Sequence, residues 1–299
     1  MATMRLFLLL NIVYIFLPHA TAWTLPRDSA YRETLRAAGA MDVVRPIIIK
    51  AEKIPLSDPG PIATTDRRTK SSGDDGILIN TKIIHFQRHG QGYHNLLGDI
   101  TREFGRTFDI DDPNPSSNPF VRPEIQDSPL THIGRTEATS RQSQVSALTP
   151  QVVIVSPLHR AIQTALISFD HHRRNGVPFV AHEGCREQLG LLTCNKAHPL
   201  SQTKVDFPTV DFSLISQGEE DTLWSPHERE RPLDEAERVY EFLTGFIMLR
   251  SEEDLAVVGH SAWLFSMNNV VIDCGGDESL ESWFGTSEVR SMKVSFYRK

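Results

Sequence analysis

The sequence predicts an α/β protein, a doubly wound three-layer sandwich with a mostly parallel central sheet. From Thr81 onward, short runs of β-branched and apolar residues recur between turn residues, as strands buried on both faces do. Between them lie stretches whose apolar residues repeat at three and four, the helical period. The two kinds alternate to the end of the chain, the pattern of a sheet covered on both sides.

Residues 1–22 read as a signal peptide. Arg5 gives the basic head, Leu6 to Leu17 is apolar apart from Asn11, and Ala20-Thr21-Ala22 is a small-residue cleavage pattern. The run is short for a membrane span of ~20 residues, and no second run of that length follows. The mature chain is therefore expected to carry no stable membrane span and to enter the secretory pathway, ending secreted or in the endomembrane system. Trp23 directly after the cleavage pattern resembles a bipartite plastid leader; Asp28, Glu33, Asp42 and Glu52 are more acid than such leaders carry. Residues 23–80 read as a largely irregular leader and linker. Asp28 caps a short helix ended by Gly39, and Pro55, Pro59 and Pro61 precede a Ser, Lys, Arg and Gly mixture. Residues 81–299 then form one catalytic domain.

Within it, Ile83 to Phe86 is a strand that ends at Arg88-His89-Gly90. Val152 to Val155 is a second strand. Ser156 is placed to cap a helix with Pro157 at its first position, and Leu158, Ala161, Ile162, Ala165, Leu166 and Phe169 form its apolar stripe. Phe179 to Ala181 is a third strand. A helix is expected from Leu233 to Leu249, a strand from Leu255 to Val258, a helix from Ser261 to the Gly275-Gly276 stop, and a last strand from Val289 to Phe296. Asp111–Pro129, with five prolines, and Leu191–Arg231 are long irregular stretches, expected to be a lid or binding loop and a cap.

The formal charge of -7 argues against a nucleic-acid partner, which calls for a broad basic face. Cys185, Cys194 and Cys274 are too few and too far apart for a disulfide framework or zinc knuckle and read as buried thiols. His85 reads as an interior residue, and His171 to Arg174 as a solvated cationic helix end. The chemistry lies at the strand ends. Arg88-His89, Ser156 to Arg160 and His260-Ser261 each follow a predicted strand directly, and in such sheets ligands bind outside the carboxyl ends of strands. Arg88 and Arg160 offer forked donors for phosphate oxygens. One histidine can attack, another can hydrogen-bond the same phosphate, and Glu187 can move the proton. Glu183, Glu220 and Asp221 are rivals for that carboxyl role.

The stretches Phe86 to Asn95, Asp127 to Gly134, Ser156 to Ala165, Arg186 to Gly190 and Val258 to Ser261 resemble the motifs of the histidine phosphatase superfamily, on its phosphoglycerate-mutase-like branch. Leu189 to Lys196 is similar to a stretch of the plant and fungal mutase-like proteins. The resemblance implies a phosphoglycerate-mutase-like fold and a phosphomonoester hydrolase with a phosphohistidine intermediate on His89. It implies that Arg88, Arg160 and His260 clamp the phosphoryl oxygens, with Asn95 at the pocket rim and Ser261 among the substrate-binding residues. Glu187 would protonate the leaving alkoxide and then deprotonate water. No metal or cofactor is called for, since the cage supplies the charge. The substrate would be a small phosphorylated metabolite or a phosphorylated macromolecule. A phosphoglycerate-type phosphomutase and a catalytically idle phospho-ligand-binding module stand as alternatives.

Overall fold

The computed structural model describes residues 45–55 and 76–299. The expected signal peptide, leader helix and most of the linker lie outside the described residues. Seven strands form one sheet: β1 (Ile47–Ile54), β2 (Ile77–Arg88), β3 (Val152–Val155), β4 (Phe179–Ala181), β5 (Asp254–Gly259), β6 (Ile272–Asp273) and β7 (Val289–Arg298), in the order β4-β3-β5-β2-β7-β1-β6. The β4-β3, β3-β5, β5-β2 and β1-β6 pairs are parallel; β7 runs antiparallel to both β2 and β1. The sheet is thus mostly parallel, as the sequence predicts.

Two cores cover it. Along β5, Leu255 and Val257 join Ile84, Phe86 and Trp263 on one face, while Ala256 and Val258 join Ala161, Ile162 and Phe169 on the other. Successive strand residues point to opposite faces, so a continuous apolar run is what a sheet with helices on both sides requires. A third cluster, with Leu96, Phe120, Ile125 and Leu192, lies beneath the two irregular stretches.

Four expectations are corrected. The leader does not stay irregular up to residue 80, because β1 lies inside it and pairs with β7 over eight residues, with Ile49 and Ala51 buried. Ile77 to Asn80 belong to β2. Ser156 does not cap a helix starting at Pro157. Pro157 and Leu158 first turn the chain and the helix spans His159–Ser168, while the Ser156 hydroxyl lies 2.7 Å from His260 Nε2. The helix expected from Leu233 to Leu249 is α-helical over Pro232–Glu241 and widens to a π-type turn over Phe242–Ile247. Similarly, Ser261–Ser266 is α-helical, and a π-type turn and β6 precede the glycine pair, both at positive φ. All three cysteines are buried free thiols, and burial pushes each up to about 12. His85 is interior, its ring between Ser291 and Asp254. No helix of the described residues is long and apolar enough to cross a membrane.

Candidate active site

Strand register brings the motifs together. Arg88 pairs with Gly259 across β2-β5, and Val155 with Val258 across β3-β5. The next residues, His89, His260 and Ser156, therefore leave one sheet edge side by side. The His89 N–H donates to Gly259 O at 3.0 Å and the Ser156 N–H to Val258 O at 3.1 Å. The His89 turn is pinned by bonds from Gly90 N to Thr164 Oγ1 and from Gln91 N to Glu137 Oε2. Glycine is required there: a Cβ on Gly90 would lie 2.5 Å from Gly134 O, and one on Gly134 would lie 2.2 Å from Gln91 O.

His89 is buried, and its Nδ1 lies 2.6 Å from Gly90 O. A carbonyl only accepts, so Nδ1 carries the proton and Nε2 keeps its lone pair. Arg160 Nε donates to that Nε2 at 3.3 Å. Burial, then the charges of Arg160 and Arg88, hold His89 well below the ordinary histidine pKa. The His260 ring centre lies 5.1 Å from that of His89, and His94 lies 5.5 Å away on another side. Both are likewise held well below the usual value by burial and by Arg160. His260 Nδ1 is buried with no protein partner, a polar atom available to a ligand oxygen.

Arg160 is fully buried in the first turn of its helix. NH1 donates to Cys194 O at 2.7 Å and NH2 to Asn195 Oδ1 at 2.8 Å. Arg88 is half-buried; its NH1 donates to Phe284 O at 2.7 Å and its Nε has no protein partner. Glu187 accepts at Oε1 from the Trp263 N–H at 3.2 Å and at Oε2 from the Ala262 N–H at 3.3 Å. It thus sits on the opening turn of the helix that follows His260, where Ser261 is the first residue.

The rival carboxyls are engaged or exposed. Asp221 forms a buried ion pair with Arg186 at 2.6 Å, Glu183 accepts from Ser216 and Gln217, and Glu220 is exposed. Asn95 spends its Oδ1 on the Gly92 N–H at 2.9 Å, which caps the Tyr93–Glu103 helix. The structure therefore brings Arg88, His89, Arg160, Glu187 and His260 together and gives Asn95 a turn-shaping contact.

The sequence does not mark His94, whose Nδ1 lies 3.0 Å from Ser128 Oγ, Cys194 or Asn195 as site residues, and it points to Ser156 as a helix cap rather than as the partner of His260. Nor does it mark Glu235. This carboxyl is fully buried, accepts from Ser266 Oγ at 2.8 Å, and is pushed up to about 8 by burial and by the charge of Glu187. The cage as a whole presents fixed cations and neutral imidazoles around one sheet-edge point, an arrangement suited to an anion.

The chain belongs to the histidine phosphatase superfamily (branch 1), whose family model matches residues 123–279. Arg160, Glu187 and His260 lie within that match and the Arg88-His89-Gly90 turn lies upstream of it. Over 249 residues the chain is 30% identical to phosphoglycerate mutase-like protein 1 of Arabidopsis thaliana, covering 73% of this chain and 82% of that protein. It is 29% identical over 249 residues to a second phosphoglycerate mutase-like protein of the same plant, covering 73% and 86%. Among solved structures, a mycobacterial glucosyl-3-phosphoglycerate phosphatase with VO3 aligns at a TM-score of 0.42 and 18% identity, covering 73% of this chain and 98% of that one.

Proposed function

We propose that the chain is a phosphomonoester hydrolase that works through a phosphohistidine on His89 and needs no metal. The observation that carries the reading is the state of His89: Nδ1 is committed to Gly90 O, and the Nε2 lone pair faces Arg160 inside a cationic cage. In the first step Nε2 bonds to phosphorus and the P–O ester bond breaks. Glu187 gives its proton to the departing alkoxide; Oε2 accepts one N–H and retains a lone pair to carry that proton. In the second step the Glu187 carboxylate takes a proton from water, the water oxygen bonds to phosphorus, and the P–N bond breaks. Arg88 and Arg160 supply the charge stabilisation that phosphoryl transfer chiefly needs, and His260 Nδ1 offers a further contact.

Hydrolysis is favoured over mutase chemistry because a mutase must hold a second anionic group of its substrate. Several cations in and beside the insertion are engaged elsewhere: Arg229 with Asp111, Lys196 over the Trp224 ring at 4.9 Å, and Arg186, just before it, with Asp221. The relatives named as mutase-like proteins are consistent with a small phosphorylated substrate.

The test is turnover of an aryl phosphate by the full chain in chelator, beside His89→Ala, with acid-stable and acid-labile phosphoprotein distinguished after quenching. Loss of turnover and of an acid-labile phosphoenzyme in the variant is expected. Equal rates for the two proteins would refute the assignment. A phosphoenzyme that transfers to 3-phosphoglycerate faster than to water would establish the mutase instead.

A further inference from the structure

Directly beside Arg160, His159 joins three separate segments. Its Nδ1 lies 2.6 Å from Asp127 Oδ2, on the loop that leads into Thr131. Its Nε2 lies 3.3 Å from Asp206 Oδ2, at the end of the Leu200–Asp206 helix. Ionised carboxylates only accept, so a carboxylate at each ring nitrogen asks both to donate, and only the imidazolium has two N–H groups. The remaining neighbours are the His198 ring, edge-on at 5.0 Å, the apolar Phe207 ring at 4.9 Å, and Arg160 on its own helix. Burial alone would lower His159, but Asp127 and Asp206 outweigh it and raise its pKa above the ordinary 6.5.

Asp127 is built for this contact. It is fully buried and has φ 41°, a left-handed backbone that a non-glycine residue keeps only where its surroundings hold it. Its Oδ1 accepts the His159 N–H at 2.8 Å and its Oδ2 accepts the His198 N–H at 3.3 Å. The strap of residues 194–198 is thus gripped at both ends from two consecutive residues of one helix. Arg160 holds Cys194 and Asn195, and His159 holds His198 through Asp127. The middle is tied by Arg186 NH2 to Asn195 O and by the Ala197 N–H to Asp221.

We propose that His159 is a positioning residue: clamped between Asp127 and Asp206, it fixes the strap and the Leu200–Asp206 helix to the Arg160 turn and so sets Arg160 against His89. Its kinetic consequence rests on the phosphatase reading; its geometric and binding consequences do not. The latch is complete while His159 is protonated. As pH rises through its raised pKa, Nε2 loses its proton and turns a lone pair toward Asp206, and the cap contact becomes repulsive. Asp127, His159 and His198 also offer atoms within 4.8 Å of one another, a spacing that suits a cation. The 2.6 Å Asp127–His159 separation is that of a charge-assisted hydrogen bond, and both Asp127 oxygens already accept N–H groups.

The test uses the full chain, His159→Gln and Asp206→Asn, with orthovanadate affinity and aryl phosphate turnover measured from about pH 5 to about pH 9, across the histidine range. Wild type is expected to lose affinity and kcat/KM on an alkaline limb lying above 6.5. Asp206→Asn, whose side chain is 43% exposed in wild type, is expected to fold and to flatten that limb, because an amide can serve either state of Nε2. His159→Gln is expected to lower kcat about 10²-fold, the scale of a misplaced catalytic group, and to weaken vanadate binding. An Asp206→Asn limb superimposable on wild type, with wild-type vanadate affinity in His159→Gln, would overturn the latch. So would stoichiometric tight Zn²⁺ binding abolished by His198→Ala. Wild type that binds vanadate with the expected pH dependence yet hydrolyses nothing would keep the latch and refute the phosphatase reading.

Discussion

Arg160→Lys separates a chemical role for the cage from a structural one. Arg160 is fully buried and donates to His89 Nε2 at 3.3 Å, Cys194 O at 2.7 Å and Asn195 Oδ1 at 2.8 Å. Lysine keeps the charge but ends in one nitrogen, which cannot reproduce the planar fork. If it satisfies one acceptor, the strap loses partners for the others. A buried polar atom left unpaired costs about 1–3 kcal/mol, so the variant should lose roughly 2–6 kcal/mol for two such acceptors. Against a typical total of about 5–15 kcal/mol, the protein should fold with a clearly lowered unfolding midpoint. The chemical step should suffer separately. Removing one preorganised donor from a charge-stabilising site lowers kcat by about 10²–10³. The assay is kcat and KM per folded molecule below the variant's melting range, with orthovanadate affinity beside it. A lowered midpoint with unchanged kcat and vanadate affinity would show that Arg160 only holds the strap.

Ile49→Ala should destabilise the domain by about 2–5 kcal/mol, the usual range for a buried isoleucine truncation, because Ile49 is 2% exposed between β7 and the helical layer. An unchanged thermal midpoint would mean that residues 47–54 are a dispensable leader after all. Glu235→Gln should flatten part of the pH dependence of stability. The folded pKa of about 8 lies above the unfolded 4.5, so this group's contribution is lost as pH rises through that window. The slope removed is up to about 1.4 kcal/mol per pH unit. Parallel urea midpoints for the two proteins across the window would count against a buried protonated carboxyl.

What was legible depended on whether a signal was local. β3, β4 and β5 stood out because strands buried on both faces leave uninterrupted apolar runs, and Arg88-His89, Ser156 to Arg160 and His260-Ser261 each sit directly after such a run. β1 carries the same signal at Ile47 to Ile49. It lies, however, between Pro46 and the proline-rich linker, and its partner β7 is at the other end of the chain. The Tyr93–Glu103 helix was hidden because its first turn is the motif itself, with glycine as cap and Asn95 Oδ1 in place of an ordinary capping side chain. In the site, the residues placed by strand register could be read from sequence. Their tertiary partners could not. Nothing local shows that Asn195 meets Arg160, that Glu187 meets the turn after His260, or that Asp127 meets His159.

Those unseen contacts set the protonation states on which the proposed chemistry depends. Arg160 and burial act together on His89, His94 and His260 and hold all three neutral at pH values where an exposed histidine would be charged. A protonated His89 would have no lone pair to attack with, so the cationic cage protects the nucleophile as well as attracting the anion. One residue from Arg160, Asp127 and Asp206 push His159 the other way. The same helical turn therefore needs neutral histidines on one side and a charged one on the other. Both conditions hold only between the lowered pKa of His89 and the raised pKa of His159, so the span of pH over which the site is competent is set by which histidines face carboxylates and which face arginines.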